Sequence, residues 1–520
     1  MDLNFYRAAL QAGEFVCSAE LVLGRDHTLQ EVQDFVGEAA REPQGVKVIS
    51  LTDLPGGNPA LPPEAFVSAV LEHGLIPIAH VSGKDVNRSF LEGRFYALAR
   101  LGVKNILALT GDAQKDGFLG RGKPVHDLDS VQILWLARTM ASGIQYQLGS
   151  RAASSTPYQF FLGAVVNPFK QREPDMMMQL YKLELKIAAG ARFIIPQLGF
   201  DIRKLYEVKQ YLMRRGLGHI PVLANVYVPT ATVARMMQNG ELAGCSMPPD
   251  LLRRLESEKK PQRLERAALM VAAARGLGFA GAHIGGFGLA HKDFLKILDR
   301  ALGIGPGWRG RLDELIHECP GQFYLFPAHP EGLSDGSGAF QVSTLRPRPA
   351  LRQRASDHLH SVLIAEGSPG ARFFQKRLSG HDTGWPQTVC RALLAPSAWY
   401  RKAMFGCQSC GDCIQDHLSY AGCSVQGCYK QLRNGPCGGS RPDGNCEARP
   451  QTPCLWSRVY HSSLALGRDP GRFAETLVPP RDWRLDGTNA LVNRFTNRDN
   501  LSRRRRVLQV EEGEKDVHHR

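Results

Sequence analysis

"EFVCSAEL" (14–21) is the stretch on which the fold turns. It is mostly apolar, of strand length, and closes on one carboxylate, Glu20. Such a run reads as a strand packed on both faces, as in a parallel sheet covered by helices. Seven more runs of this kind follow: "VKVISLTD" (46–53), "IPIAHVSG" (76–83), "NILALTGD" (105–112), "FFLGAVVN" (160–167), "FIIPQLGF" (193–200), "PVLANVYV" (221–228) and "GAHIGGFG" (281–288). The segments between them carry helical periodicity. "DVNRSFLEGRFYALARLG" and "DSVQILWLARTMASG" space their apolar residues by three and four, and "DMMMQLYKLELKIAAGA" runs from Pro174 to a stop at Gly190. Eight strand–helix repeats predict an α/β fold, a (β/α)8 TIM barrel; an open doubly wound sheet is the alternative.

A polar residue stands near each strand's C-terminal end: Glu20, Thr52 with Asp53, His80, Thr110 with Asp112, Asn167, Gln197, Asn225 with Tyr227, and His283. Taken singly, each reads as an ordinary rim residue. In a closed barrel all eight ends meet at one mouth, where barrel enzymes place their chemistry. A ring of acids, imidazoles and amides suits a planar polar ligand and the movement of protons.

The chain has 520 residues, enough for two or three domains, with 43% hydrophobic residues and a net charge of +14. The positive charge is spread thinly. Its densest runs, "RPRPALRQR" (346–354) and "RRRR" (503–506), read as loop and tail, so no nucleic-acid partner is expected. No apolar run reaches the roughly 18 residues of a membrane span. The first residues lack the pattern of a secretory signal, so the expected location is cytoplasmic, with reduced thiols. "GPGWRG" (305–310) matches a dinucleotide fingerprint but follows a helix and contains Pro306, so it is set aside.

Beyond residue 302 the rhythm breaks. The expected division is a barrel over 1–302, a Pro/Gly-rich, partly ordered connector over 303–400, a cysteine-rich module over 401–480 and a polar tail over 481–520. Eight of the twelve cysteines fall in the module: Cys407, Cys410, Cys413, Cys423, Cys428, Cys437, Cys446 and Cys454. In a reducing compartment such a cluster points to metal rather than disulfides. The C-x2-C-x2-C spacing suits an iron–sulfur cluster and paired cysteines suit zinc, so both remain open. His518 and His519 are read as solvated tail.

Glu20, "LTDLPGG", "AH" in the third strand, "GVKNILALTGD" and "LKIAAGARFIIPQLGFD" together resemble the flavin-dependent methylenetetrahydrofolate reductases over roughly 10–300. "NGPCGG" and "GNCE" with the upstream cysteines resemble the cysteine-rich C-terminal domain of some bacterial members, over roughly 390–470. The resemblance implies a flavin, FAD or alternatively FMN, that reduces 5,10-methylenetetrahydrofolate to 5-methyltetrahydrofolate or runs the reverse reaction. It implies Glu20 as general acid and Asp112 as the acid beside flavin and pterin. Thr52, His80, Asp127 and Asn167 then line the flavin, and Gln197 binds the folate, with Tyr227 as the aromatic partner. The sequence departs from the family before the strand-four glycine, where Thr110 replaces the frequent arginine. The electron donor (NADH, NADPH or a protein) and homo-oligomerisation stay open. The competing reading is an inactive folate- or metal-binding accessory protein.

Overall fold

A computed structural model describes residues 4–42, 44–378 and 385–500. The chain forms two compact units. The first comprises 1–343 together with 436–451, and the second comprises 344–435 together with 452–520.

Eight parallel strands lie at the centre of the first unit: β1 Val16–Leu21, β2 Val48–Leu51, β3 Ile76–Ser82, β4 Asn105–Leu109, β5 Phe161–Val166, β6 Phe193–Pro196, β7 Leu223–Tyr227 and β8 Gly281–Gly285. They pair in the order β6-β5-β4-β3-β2-β1-β8-β7. A parallel bridge between Ile194 and Val222 joins the two outer strands, so the sheet closes into the expected barrel. Each strand falls within one of the eight runs. The intervening helices include α1 Phe5–Gln11, α2 Leu29–Arg41, α3 Val67–Glu72, α4 Arg88–Arg100, α5 Ser130–Thr139, α6 Glu173–Ala189, α7 Ile202–Arg214, α8 Ala231–Gln238, α9 Pro249–Ser257, α10 Lys260–Gly276 and α11 His291–Ile304. Among the described residues no helix is long and apolar enough to cross a membrane.

Strand alternation sends every second side chain inward, so the barrel fills in layers. The bottom layer is apolar. Val48, Ile78, Leu107, Phe161, Phe193 and Leu223 meet there, and Tyr6 of α1 closes that end edge-on against Phe161 and Phe193. Above it the interior turns polar: on β1, Val16 is followed by Ser18 and then by Glu20. The dry plug fixes the register, and the register sets which polar side chains reach the mouth.

Residues beyond 302 continue on the barrel's outside. The strands' helical cover includes a buried Lys204–Glu207 pair on α7, 3.1 Å apart. Lys204 Nζ donates to the Phe323 carbonyl at 2.7 Å, and Glu207 accepts from Phe326 N at 3.0 Å and Ser334 Oγ at 2.9 Å. These bonds explain why the first unit runs to 343. "GPGWRG" lies in a 3-10 segment, Gly305–Leu315. In the second unit, residues 481–500 are more ordered than their polarity suggests. A helix, Ala490–Phe495, places Val492 and Phe495 in an apolar cluster with Ala371, Leu378, Cys390 and Leu394. Arg503–Arg506, His518 and His519 lie outside the described residues.

Candidate active site

In the parallel register Ser18 stands opposite His283, and Glu20 opposite Ser50. Glu20 therefore rises one layer above a serine–histidine pair. Ser18 Oγ lies 2.8 Å from His283 Nδ1, and His283 Nε2 lies 3.3 Å from Glu20 Oε2. Ser50 Oγ lies 2.7 Å from His80 Nε2. Gly285 makes this possible: a Cβ there would sit 2.9 Å from Glu20 Oε2.

These groups open on a cavity of about 290 Å³ at the C-terminal end of the barrel. Glu20, Thr52, His80, Asp112, Asn167, Gln197 and Tyr227 all line it. Asp127 does not. Its carboxylate accepts from Arg88 N at 3.0 Å and pairs with the Arg88 guanidinium at 2.7 Å, which fixes the start of α4. Thr52 Oγ1 accepts from Leu23 N at 2.9 Å, and neighbouring Asp53 pairs with Arg94 at 2.7 Å. Gln197 uses its side-chain oxygen on Leu198 N at 3.1 Å.

The electrostatics differ from an isolated acid in an apolar pocket. Burial pushes the Glu20 carboxyl up, but the hydrogen bond and charge of His283, with His80 beyond, outweigh it and hold the carboxyl below its ordinary value. Burial pushes His80 down to about 4, so this imidazole is neutral at neutral pH. Burial, with Glu20 and Cys245 close by, pushes the Tyr227 hydroxyl upward.

Several lining residues carry no signal in the strand pattern. On α6, Gln179 and Lys186 line the cavity, on a buried helix face that also carries Asp175 and Lys182. Lys186 lines the cavity, and burial followed by the charge of Lys182 pushes its amine down to about 7. Two lysines four residues apart on the buried face of this helix are the signal that could have found it. Cys245, in the loop after α8, also lines the cavity; burial, followed by the charge of Asp112, pushes its thiol up to about 12.

A segment distant in sequence completes the wall. Residues 436–443 form a strap whose carbonyls accept from the barrel: Lys182 Nζ to Pro436 at 3.0 Å, Asn167 Nδ2 to Gly438 at 3.0 Å, Lys170 Nζ to Ser440 at 2.8 Å and Arg172 Nη1 to Asp443 at 2.8 Å. Gly438 has φ +94, a left-handed value that favours glycine, and it passes directly over Asn167. Cys437 and Gly438 thereby join the cavity lining.

The cysteines are thus distributed. Cys437 and Cys446 belong to the first unit through the strap. In the second unit, Cys407, Cys410, Cys413 and Cys423 line one small cavity of about 30 Å³. Burial, with Arg401 opposing and Cys410 and Cys423 adding, pushes Cys413 up to about 12; burial also raises Cys423. Cys428 and Cys454 lie elsewhere in that unit. Among the described residues no three His, Cys, Asp or Glu side chains are already gathered to metal-holding distance.

A sequence profile described as methylenetetrahydrofolate reductase matches residues 6–275, more than half of the chain. The chain belongs to the methylenetetrahydrofolate reductase family. A second profile, described as the methylene-tetrahydrofolate reductase C terminal, matches 391–484. Among curated proteins, methylenetetrahydrofolate reductase 2 of Schizosaccharomyces pombe is 24% identical over 199 residues, covering 37% of this chain and 30% of that protein. The match thus spans less than a third of that relative. Two solved structures overlap loosely. One is an uncharacterized protein from Clostridium thermocellum that binds two copies of 5-methyl-5,6,7,8-tetrahydrofolic acid (11% identity, TM-score 0.41, 58% of this chain and 98% of that one). The other is dihydropteroate synthase from Thermus thermophilus with 4-aminobenzoate (17% identity, TM-score 0.30, 57% and 94%). Neither carries weight on function. Within the family, the barrel is the methylenetetrahydrofolate reductase domain, and the cavity at its mouth is the candidate active site.

Proposed function

We propose that this protein is a flavin-dependent oxidoreductase interconverting 5,10-methylenetetrahydrofolate and 5-methyltetrahydrofolate. The observation that carries the reading is Glu20 at the barrel mouth, joined to His283 and sharing one cavity with Asp112 and Gln197. Family membership supports the same chemistry.

The residues fit a polar fused-ring ligand. Two buried polar atoms on lining residues, Asn225 Oδ1 and Gln179 Nε2, have no hydrogen-bond partner among the described residues, so donors and acceptors remain for a ligand. About 290 Å³ suits one ring system, near the lower end of small-molecule sites. A second stacked ring requires the strap or the loop carrying Cys245 to yield. Thr52, His80, Asn167 and Lys186 would hold a flavin, FAD or FMN, and a bound flavin would supply the hydride that side chains cannot.

The chain's own part is the proton. Opening the methylene bridge requires protonation of a folate nitrogen. In the free site His283 Nε2 stands 3.3 Å from Glu20, and Ser18 Oγ meets the far ring nitrogen at 2.8 Å. A bound ring excludes water from Glu20, and that burial favours the neutral, donating form of its carboxyl. Asp112, which lines the same cavity, would stabilise the cation that forms. Gln197 orients the pterin edge.

The test is anaerobic. Protein purified with its flavin is reduced and mixed with 5,10-methylenetetrahydrofolate; reoxidation of the flavin absorbance with formation of 5-methyltetrahydrofolate is expected. No bound flavin and no folate turnover would favour the accessory-protein reading. Gln197→Leu should weaken folate by about 1–3 kcal/mol, the cost of leaving a polar ligand edge unpaired, while flavin reduction by its donor survives. Measuring the two half-reactions separately checks this; equal damage to both would make Gln197 a flavin contact.

Cys407, Cys410, Cys413 and Cys423 would hold a metal, because four thiols around one small cavity form a suitable donor set. Metal would also relieve the protonated, buried state of Cys413. Elemental analysis of anaerobically purified protein should find zinc at about one or two per chain, or iron with labile sulfide. Joint replacement of Cys410 and Cys413 by serine should remove it. Metal content unchanged in that variant would exclude these four.

A further inference from the structure

The second unit holds a cavity of about 470 Å³, against about 290 Å³ at the barrel mouth, and every residue lining it belongs to that unit. Its walls are apolar: Leu363, Ile364, Phe374, Leu394, Phe405 and Phe495 meet there from separate helices and turns. Part of the wall is a π-helical turn, His360–Ile364, a rare local geometry that recurs at functional sites.

Two buried polar side chains interrupt this lining, Gln415 at 9% exposure and Tyr420 at 5%. Neither Gln415 Oε1 nor the Tyr420 hydroxyl has a hydrogen-bond partner among the described residues. One turn brings the pair to the same cavity. Tyr420 N donates to Gln415 O at 3.1 Å, and Ser419 and Tyr420 both hold left-handed backbone, with φ +47 and +55. Bulky side chains rarely adopt that conformation, and such strain collects where a side chain must be presented to a ligand. Burial, with Asp416 close by, pushes the Tyr420 hydroxyl upward, so it stays a protonated donor. Gln415 Oε1 can only accept. Charged groups on the wall are engaged elsewhere: Asp416 lies 3.1 Å from Arg494, and Arg401 donates to Ser397 O at 3.2 Å.

We propose that this cavity binds a small neutral molecule with an aromatic or aliphatic body and one hydroxyl, which accepts from Tyr420 and donates to Gln415 Oε1. The apolar body covers the walls, and a single hydroxyl satisfies both orphaned atoms at once. The volume falls within the range of small-molecule sites. A peptide suits the cavity less, because each of its residues brings a backbone donor and acceptor that apolar walls leave unpaired. The site uses no residue of the barrel mouth, so it stands apart from the folate reading.

The experiment titrates the full-length protein, purified anaerobically, with 2-naphthol and with naphthalene in a calorimeter. Both should bind saturably, 2-naphthol about tenfold more tightly, the scale of two hydrogen bonds to neutral groups. In the double variant Tyr420→Phe/Gln415→Leu the ratio should fall towards one while naphthalene keeps its affinity. Tyr420→Phe alone deletes a single oxygen atom and should lower the ratio about threefold, which keeps the test decisive if the double variant does not fold. Leu363→Trp, at a position 40% exposed, should close the cavity and abolish binding of both probes, with a melting transition matching the parent protein. No saturable binding of either probe by the parent protein would overturn the proposal, because the cavity would then be filled by the chain itself. So would a preference for 2-naphthol that survives in both Tyr420 variants. Unchanged affinities in Leu363→Trp would also overturn it, by placing the probes in the barrel cavity or on the surface.

Discussion

Replacing Glu20 with glutamine is expected to slow folate turnover by roughly two to four orders of magnitude, the scale of a lost general acid. Glutamine has the same shape, so it keeps the space that Gly285 leaves and can still accept from His283. What it cannot do is carry the proton. The barrel should therefore stay folded and its ligands should still bind. The damage should fall on the step that opens the methylene bridge, and flavin reduction by its donor should be spared. Stopped-flow absorbance of the two half-reactions separates these. Near-normal folate turnover with ligand binding intact would remove Glu20 from the chemistry. His283 at 3.3 Å favours the ionised carboxyl in the free site, and a bound ring that excludes water would shift Glu20 towards its donating form.

Phe193→Ala is expected to cost about 3–5 kcal/mol, a large part of the roughly 5–15 kcal/mol that holds a domain together. Phe193 is fully buried at the barrel bottom, stacked on Phe161 at 5.1 Å between ring centroids and edge-on to Tyr6 at 5.4 Å. Little can move in to fill the hole. Gly163 on β5, where a Cβ would meet the Phe193 ring at 2.2 Å, has no side chain to offer. The first cooperative transition in a urea titration should shift to lower denaturant, and Phe193→Leu should shift it by less than half as much. A midpoint unchanged in the alanine variant would mean that the apolar plug does not limit the stability of the barrel.

The barrel was legible because each strand repeats a local signature, and alternation assigns Ser18 and Glu20, or Ser50 and Thr52, to one face without further information. The mouth followed from geometry, since eight strand ends have nowhere else to converge. What stayed hidden depends on partners distant in sequence. Asp127, which the resemblance places among the flavin-lining residues, closes on Arg88, 39 residues earlier. Cys437 reads as one of eight equivalent thiols. Its position is instead set by carbonyl acceptors on either side of it, bonded to Lys182, Asn167 and Lys170 more than 250 residues upstream. Val492 and Phe495 are too few to stand out in a polar stretch, but one helical turn brings them to the same side.

The strap also sets an order of events at the ribosome. The sheet can close once β8 has emerged, near residue 285, but the wall built from 436–443 is then still unsynthesised. At about 5–20 residues per second, the roughly 150 residues between them take on the order of 8–30 s. During that interval the nascent barrel has a mouth open on the side of Asn167, Lys170 and Lys182, with those donors exposed to water. The finished binding site is therefore among the last parts of the chain to mature, and a ribosome that stops short of residue 436 leaves a folded barrel with an incomplete pocket.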